Sequence, residues 1–302
     1  MRPLSERPAR TGPGAMTMQE MIQRLSGYWA ERGCLIGVGH DVEKGAGTMN
    51  PLTFFRSLGP EPWRAAYVEP CRRPVDARYG DNPNRLYRYF QFQVLLKPTP
   101  DDVVEQYLGS LEALGLDRRR HDVRFVEDNW EAATLGAWGN GWEVWLDGME
   151  ITQFTYFQQM AGLDCRPPSA EITYGLERLG SYLAGVDDVW SLEWAPGVSY
   201  RDLWGRPEYE HGRYVLDEAD PDYLLRAFGD AEDQARRWLE AALVMPGYEF
   251  LLKASNLFNE LDARRAISVS ERQAYIGRLR TLARLAARQW LALRAAPEEV
   301  AP

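Results

Sequence analysis

Cysteine and histidine are scarce in this chain of 302 residues, three of each. Cys34, Cys71 and Cys165 are odd in number and far apart, and His40, His121 and His211 are scattered, with no CxxC or HxxxH spacing. Neither a disulfide framework nor a zinc site is supported. No apolar run approaches the ~20 residues that span a bilayer, and the N-terminus lacks the continuous apolar core of a secretory signal. The expected location is the cytoplasm, with no membrane partner. Positive charge is also in deficit, at a formal net charge of -9. Bulk electrostatics alone would not hold a nucleic acid, so a polyanion must meet a local basic patch or a second protein. The glycine-rich run HDVEKGAGT (40 to 48) lacks the Gly-Lys-Ser/Thr of a P-loop, and no GxGxxG follows a strand. An ordinary turn is as good a reading of it as a phosphate cradle.

What is present is ordinary globular usage, with 45% hydrophobic and 26% charged residues. The length suits about two domains. Residues 1–15 carry three Pro and three Arg with little that is apolar, and read as a flexible tail. Thr17 to Glu20 is a capping box, and Met18, Met21, Ile22, Leu25 and Trp29 follow at helical spacing until Gly33. A short strand is expected over 34–38 and a short helix over 50–59, opened by Pro51.

The stretch from Ala65 to Pro98 reads as a strand, a long polar loop and a returning strand. Period-2 alternation puts Tyr89, Gln91 and Gln93 on one face, with Phe90, Phe92 and Val94 on the other. A helix over 101–114 and strands over 121–126, 141–146 and 149–158 follow, the last two joined at Asp147-Gly148. Successive hairpins imply a mostly antiparallel sheet in an α+β fold. The spacing of Ile172, Leu176, Leu179 and Leu183 predicts a helix over 171–184, with Arg178 off its buried stripe. A boundary falls near Trp194 to Gly197, and from Asp220 the pattern is helical. Ser270 and Gln273 are expected to cap the last helix. From Arg264 to Arg294 there are eight Arg against one acidic residue, Glu271. Such a run is usually a solvated face, or else a docking surface for RNA or a partner.

These residue types suit phosphate chemistry. Arg72 at a strand end and Arg178 on a helix each offer a rigid fork for phosphate oxygens. Glu143 and Glu150 on adjacent strands could hold a Mg²⁺ ion that bridges phosphates, and Tyr89 offers an aromatic face to adenine.

In order along the chain, Cys71-Arg72-Arg73 followed by Arg88 to Phe92 resembles motif 2 of the class II aminoacyl-tRNA synthetases, and Tyr174 to Arg178 resembles motif 3. The longer runs GAGT (45 to 48), LGPEPW (58 to 63), RYGDNPNRL (78 to 86), RFVEDNWE (124 to 131), LGAWGNGWEVWLDGMEITQFTYFQQ (135 to 159) and LDARRAISVSERQ (261 to 273) resemble the alpha subunit of the bacterial heterotetrameric glycyl-tRNA synthetase. The similarity spans essentially the whole chain from Met16. It implies a class II catalytic domain over 16–197, an antiparallel sheet flanked by helices, then an all-helical region over 198–302.

It also implies ATP-dependent activation of glycine to glycyl-adenylate and transfer to the 3′ end of tRNA(Gly). Two alpha chains would pair within an α2β2 tetramer, and a beta subunit would supply most tRNA recognition. Carried over by motif, Arg72 and Arg178 are the catalytic arginines. ATP would meet Arg72 or Arg73, Arg85, Tyr89 (or Phe90 with the register shifted by one) and Arg178. Gln91, Gln93, Glu127, Asp128, Trp130 and Gln153 would line the glycine pocket, where bulky walls exclude larger side chains. Glu143 and Glu150 would serve Mg²⁺ or the substrate ammonium. Pro74 stands where the general motif 2 has an acidic residue, so Arg72 and Arg73 compete for the α-phosphate. No HIGH-like or KMSKS-like run of a class I synthetase occurs. The rival readings are a ligase loading a non-tRNA acceptor and a non-catalytic binding subunit.

Overall fold

The structure is a computed structural model and describes residues 16–295. The expected tail over 1–15 lies outside the described residues. Helix α1 (Met18–Ala30) opens on the capping box: the Thr17 side chain accepts from the Glu20 N–H, and Glu20 reaches back to the Thr17 N–H at 2.9 Å. Its apolar stripe, Met18, Met21, Leu25 and Trp29, is buried. Then come the short strand β1 (Leu35–Ile36), a one-turn helix α2 (Pro51–Phe54) capped by Asn50, and the hairpin strands β2 (Trp63–Arg72) and β3 (Arg88–Lys97).

After helix α3 (Val103–Ala113) the chain runs through β4 (Val123–Ala132), β5 (Ala137–Leu146), β6 (Met149–Met160), the short β7 (Leu163–Asp164) and β8 (Ala170–Gly175). The β5–β6 turn needs two left-handed residues, and Asp147 (φ 48°) with Gly148 (φ 90°) supplies them. Strand order is β1-β2-β3-β8-β6-β5-β4, with β7 on β6; β1 runs parallel to β2 and the other pairs are antiparallel.

The expected helix over 171–184 is corrected: residues 170–175 form β8, and helix α4 is Leu176–Ala184. Ala170, Ile172 and Tyr174 face one side of the sheet and Glu171, Thr173 and Gly175 the other, a period of two that the helical reading passed over. The strand expected over 121–126 runs on to Ala132, so Glu127, Asp128, Trp130 and Glu131 lie within β4. A small hairpin, β9 (Glu193–Ala195) and β10 (Val198–Ser199), precedes α5 (Tyr200–Arg213), so helix begins about one element earlier than Asp220. Helices α6 (Pro221–Glu240), α7 (Val244–Ala263) and α8 (Val269–Ala295) follow. Ser268 with Glu271, and not Ser270 with Gln273, caps α8.

Two apolar layers enclose the sheet. On one side Phe90, Phe92, Val94, Ile172 and Tyr174 pack with α1, α3 and α4. On the other, Leu95, Phe157 and Met160 pack with α2 and with α6, α7 and α8. The second layer leaves part of its sheet face open, and the polar residues of β3, β6 and β8 surround that opening. No helix among the described residues is long and apolar enough to cross a membrane.

Candidate active site

A cavity of about 320 Å³ lies on the sheet face covered by α7, within the size range of small-ligand sites. β3 contributes Tyr89 and Gln91, β6 contributes Glu150 to Gln153, and β8 contributes Glu171, Thr173 and Gly175. Arg73, Asn84 and Leu86 of the β2–β3 connection, Trp130 of β4, Glu177 and Arg178 of α4, and Ala46 and Thr48 of the glycine-rich segment complete the lining. Strand alternation explains the register: Gln91 stands opposite Gly175, and Gln93 opposite Thr173, which in turn faces Gln153.

Two guanidinium groups enter from different elements. Arg73 lies over the Tyr89 ring, 4.5 Å from its centroid, and the Tyr89 hydroxyl donates to the Gly45 carbonyl at 2.7 Å. Arg178 Nη1 donates to Glu150 Oε2 at 2.6 Å. A guanidinium presents a planar fork of donors that matches phosphate oxygens.

The floor is a buried carboxyl. Glu171 is 1% exposed, and its Oε1 accepts from Thr48 Oγ1 at 2.6 Å and from Gln93 Nε2. Gln93 Oε1 accepts from Thr173 Oγ1 at 2.9 Å, which fixes the orientation of the amide. Burial pushes the Glu171 carboxyl up to about 8, against the two donated hydrogen bonds. Glu177 is held in the same way: its Oε1 accepts from the Phe90 N–H at 2.7 Å and the Tyr200 hydroxyl at 2.9 Å, and burial raises it to about 7. Sequence reasoning missed Glu171, Thr173 and Glu177, because it assigned the first two to a helix.

Buried polar groups fasten the glycine-rich segment over the sheet. Lys44 Nζ donates to Glu69 Oε1 at 2.7 Å and to the His40 carbonyl at 2.6 Å. Glu69 also accepts from the His40 N–H at 3.1 Å and from Asn50 Nδ2. The Gly47 N–H donates to Gln91 Oε1 at 2.7 Å, and a Cβ on Gly47 would stand 2.5 Å from Gln93 Oε1, so glycine is required there for close approach.

Of the residues expected from sequence, Arg73, Tyr89, Gln91, Trp130, Glu150, Gln153 and Arg178 line this one cavity. Arg72 does not, because its Nη1 turns to Glu43 Oε1 at 2.7 Å. Arg85 is exposed and lies 3.8 Å from Asp76, while its neighbours Asn84 and Leu86 face the cavity. Phe90 is on the opposite face, packed between Trp194 and Trp204, so it cannot replace Tyr89. Gln93 sits one layer below the lining, bonded to Glu171. Asp128 is behind Gln153, whose Nε2 donates to it at 3.0 Å. Glu127 pairs with Trp142, whose ring faces the α3 side of the sheet, and is exposed there. Glu143 accepts from Trp145 Nε1 at 3.0 Å, and an irregularity between Val144 and Trp145 sets Glu150 opposite Trp145 instead of beside Glu143. The expected carboxylate pair is therefore not assembled in the cavity lining.

Across the cavity, one arginine leaves the end of a hairpin strand and the other rides on a helix that directly continues a neighbouring strand. That layout, on a mostly antiparallel sheet backed by helices, is the catalytic fold of a class II aminoacyl-tRNA synthetase. Residues 18–295 match the glycyl-tRNA synthetase alpha subunit family, and the chain belongs to that family. It is thus the catalytic alpha subunit of a glycine–tRNA ligase, and membership implies ATP, glycine, tRNA and a beta subunit as its substrates and partner. Two solved structures from Desulfitobacterium hafniense are similar to it. PylSc, a pyrrolysyl tRNA synthetase, is 16% identical with a TM-score of 0.45, over 60% of this chain and 76% of that one. A pyrrolysyl-tRNA synthetase is 17% identical with a TM-score of 0.41, over 59% and 73%.

Proposed function

We propose that the cavity holds ATP and glycine side by side and that its residues divide the work between them. The observation that carries this reading is the convergence of the Arg73 and Arg178 guanidinium groups, one aromatic face and one buried carboxyl in a single cavity. Arg73 pairs with the α-phosphate and stabilises the charge that develops as the glycine carboxylate attacks. Arg178 exchanges Glu150 for the terminal phosphate, and Tyr89 stacks on adenine. Gln91 and Gln153 orient the amino acid, and Trp130 is the bulky wall that excludes longer side chains.

Among the described residues no group of three or more His, Cys, Asp or Glu is set to hold a metal ion. Glu150, a partly exposed carboxylate in the lining, fits a Mg²⁺ that takes one carboxylate and relies on substrate phosphates for the rest. Glu150 would hold it, and the ion would supply charge neutralisation of the phosphates. We read the chain as a catalytic region over 16–197 followed by the helical region from 198, acting in the cytoplasm as a pair of alpha chains within an α2β2 tetramer. The test is glycine-dependent ATP–pyrophosphate exchange with and without the beta subunit. Exchange with glycine is expected; equal exchange with alanine or serine, or none with glycine when beta is present, overturns the reading.

Glu171 is the partner of the glycine ammonium. Both hydrogen bonds it accepts fall on Oε1, which leaves Oε2 for a positive group. Its folded pKa is raised above the ordinary carboxylate value, so the stability it contributes is complete below that ordinary value and is lost as pH rises through about 8. Glycine binding runs the other way, because the ammonium needs the ionised form. The apparent KM for glycine should therefore fall as pH rises toward 8 and level off above it. Glu171→Gln should raise KM for glycine by roughly 100-fold, within the range for losing a charged hydrogen-bond partner, and remove the pH dependence. A wild-type KM profile in the variant would exclude the role.

A further inference from the structure

Beside the cavity, a second set of polar side chains joins three separated parts of the chain. Arg72 ends β2. Its Nη1 donates to Glu43 Oε1 at 2.7 Å, and its backbone N–H donates to the Lys44 carbonyl at 2.8 Å. The glycine-rich segment is therefore gripped twice by one residue, just ahead of Gly45, Ala46 and Thr48. Helix α7 stands behind the grip. A Cβ on Gly45 would lie 3.6 Å from the Arg72 carbonyl and 3.8 Å from Asn259 Nδ2, so the segment is sandwiched between the strand end and the helix. One turn along α7, Asn256 Nδ2 donates to the buried Glu260 at 2.9 Å. Burial and then the Glu43 charge push Glu260 up to about 7, while Arg72 opposes this, so all three charges feel one another.

The neighbouring arginine is disposed differently. Cys71 is buried on the cavity face and its thiol donates to Gln91 Oε1 at 3.4 Å, so alternation turns Arg72 away and the bend at Arg73 brings that side chain over Tyr89. Arg72 is absent from the cavity lining, which both Arg73 and Arg178 enter.

We infer that Arg72 is a positioning residue: through Glu43 it holds the glycine-rich segment against the end of β2, so that Ala46 and Thr48 remain in the cavity wall and Thr48 keeps its bond to Glu171. This rests on the reading of the cavity as the ATP and glycine site. The Arg72–Glu43 pair is partly exposed, at 26% and 45%, and exposed pairs contribute little to stability. Removing it should be felt in catalysis and not in folding.

The experiment is a double-mutant cycle in the full alpha chain assembled with its beta subunit: Arg72→Gln, Glu43→Gln and both together, read by glycine-dependent ATP–pyrophosphate exchange and thermal unfolding. Each single change should lower kcat about tenfold with KM for ATP within about twofold, and the double should be no worse than either single. The reversed pair Arg72→Glu with Glu43→Arg should recover most of the loss, and Tm should stay near wild type. Arg72→Gln raising KM for ATP while Glu43→Gln behaves as wild type would make Arg72 a phosphate ligand and overturn the inference. Additive losses, or two silent single changes, would overturn it as well. Failure of the wild-type enzyme to exchange with glycine would instead overturn the reading of the cavity.

Discussion

Arg73→Ala should cut kcat/KM for glycine-dependent ATP–pyrophosphate exchange by about 10²–10³, the range seen when one donor to a developing charge is lost. The expected loss is larger than for Arg72→Gln, although the two arginines are adjacent. Arg73 is in the cavity lining and stacked on Tyr89, whereas Arg72 is bonded to Glu43. Arg73→Lys should recover only a small part, because an ammonium is a point charge and cannot reproduce the planar fork over the ring. Stability should be little changed, so a circular-dichroism melt near that of the wild type is the control. Near-normal exchange in Arg73→Ala would return the phosphate role to Arg72.

Lys44→Met should be the most destabilising single change considered for the site. Lys44 and Glu69 are 1% and 0% exposed, and breaking a buried ion pair from one side costs about 3–5 kcal/mol. Burial raises the Glu69 carboxyl, and the Lys44 ammonium is the largest influence opposing that rise. Without the ammonium, Glu69 must either take up a proton or remain a poorly compensated charge. A fall in Tm of roughly 10 °C is expected for a chain of this size, together with loss of exchange activity. Adding Glu69→Leu should not restore stability, as it can for an isolated pair, since the His40 N–H and Asn50 Nδ2 would then lose their acceptor. A Lys44→Met chain that melts like the wild type would show that the segment is anchored elsewhere.

Much of the sheet was legible because its strands carry clean alternation and its hairpin turn carries Asp-Gly. The face assignment of Tyr89, Gln91 and Gln93 against Phe90 and Phe92 needed nothing beyond a period of two. The same rule applied to Cys71 and Arg72 would have turned attention to Arg73, but a residue at a strand end is free to bend either way. Glu171 was lost because Ile172, Leu176 and Leu179 also satisfy helical spacing when a strand runs straight into a helix. Glu43 and Lys44 could not be assigned partners at all: their contacts span 25 to 29 residues of sequence and depend on how the segment crosses the sheet. The link from Glu260 to that cluster spans even more of the chain and has no local signature.

The sheet's second apolar layer has a consequence for how this subunit can be divided. Every residue lining the cavity comes before Gly185, yet Leu95, Phe157 and Met160 on the same face are covered by helices that begin after Asp220. The part of the chain that would do the chemistry covers its own sheet face only in part, through α2, and relies on the later helices for the rest. Reaction and scaffold are interleaved here as lock and doorframe, and a cut between them would leave the lock with nothing to hold it square.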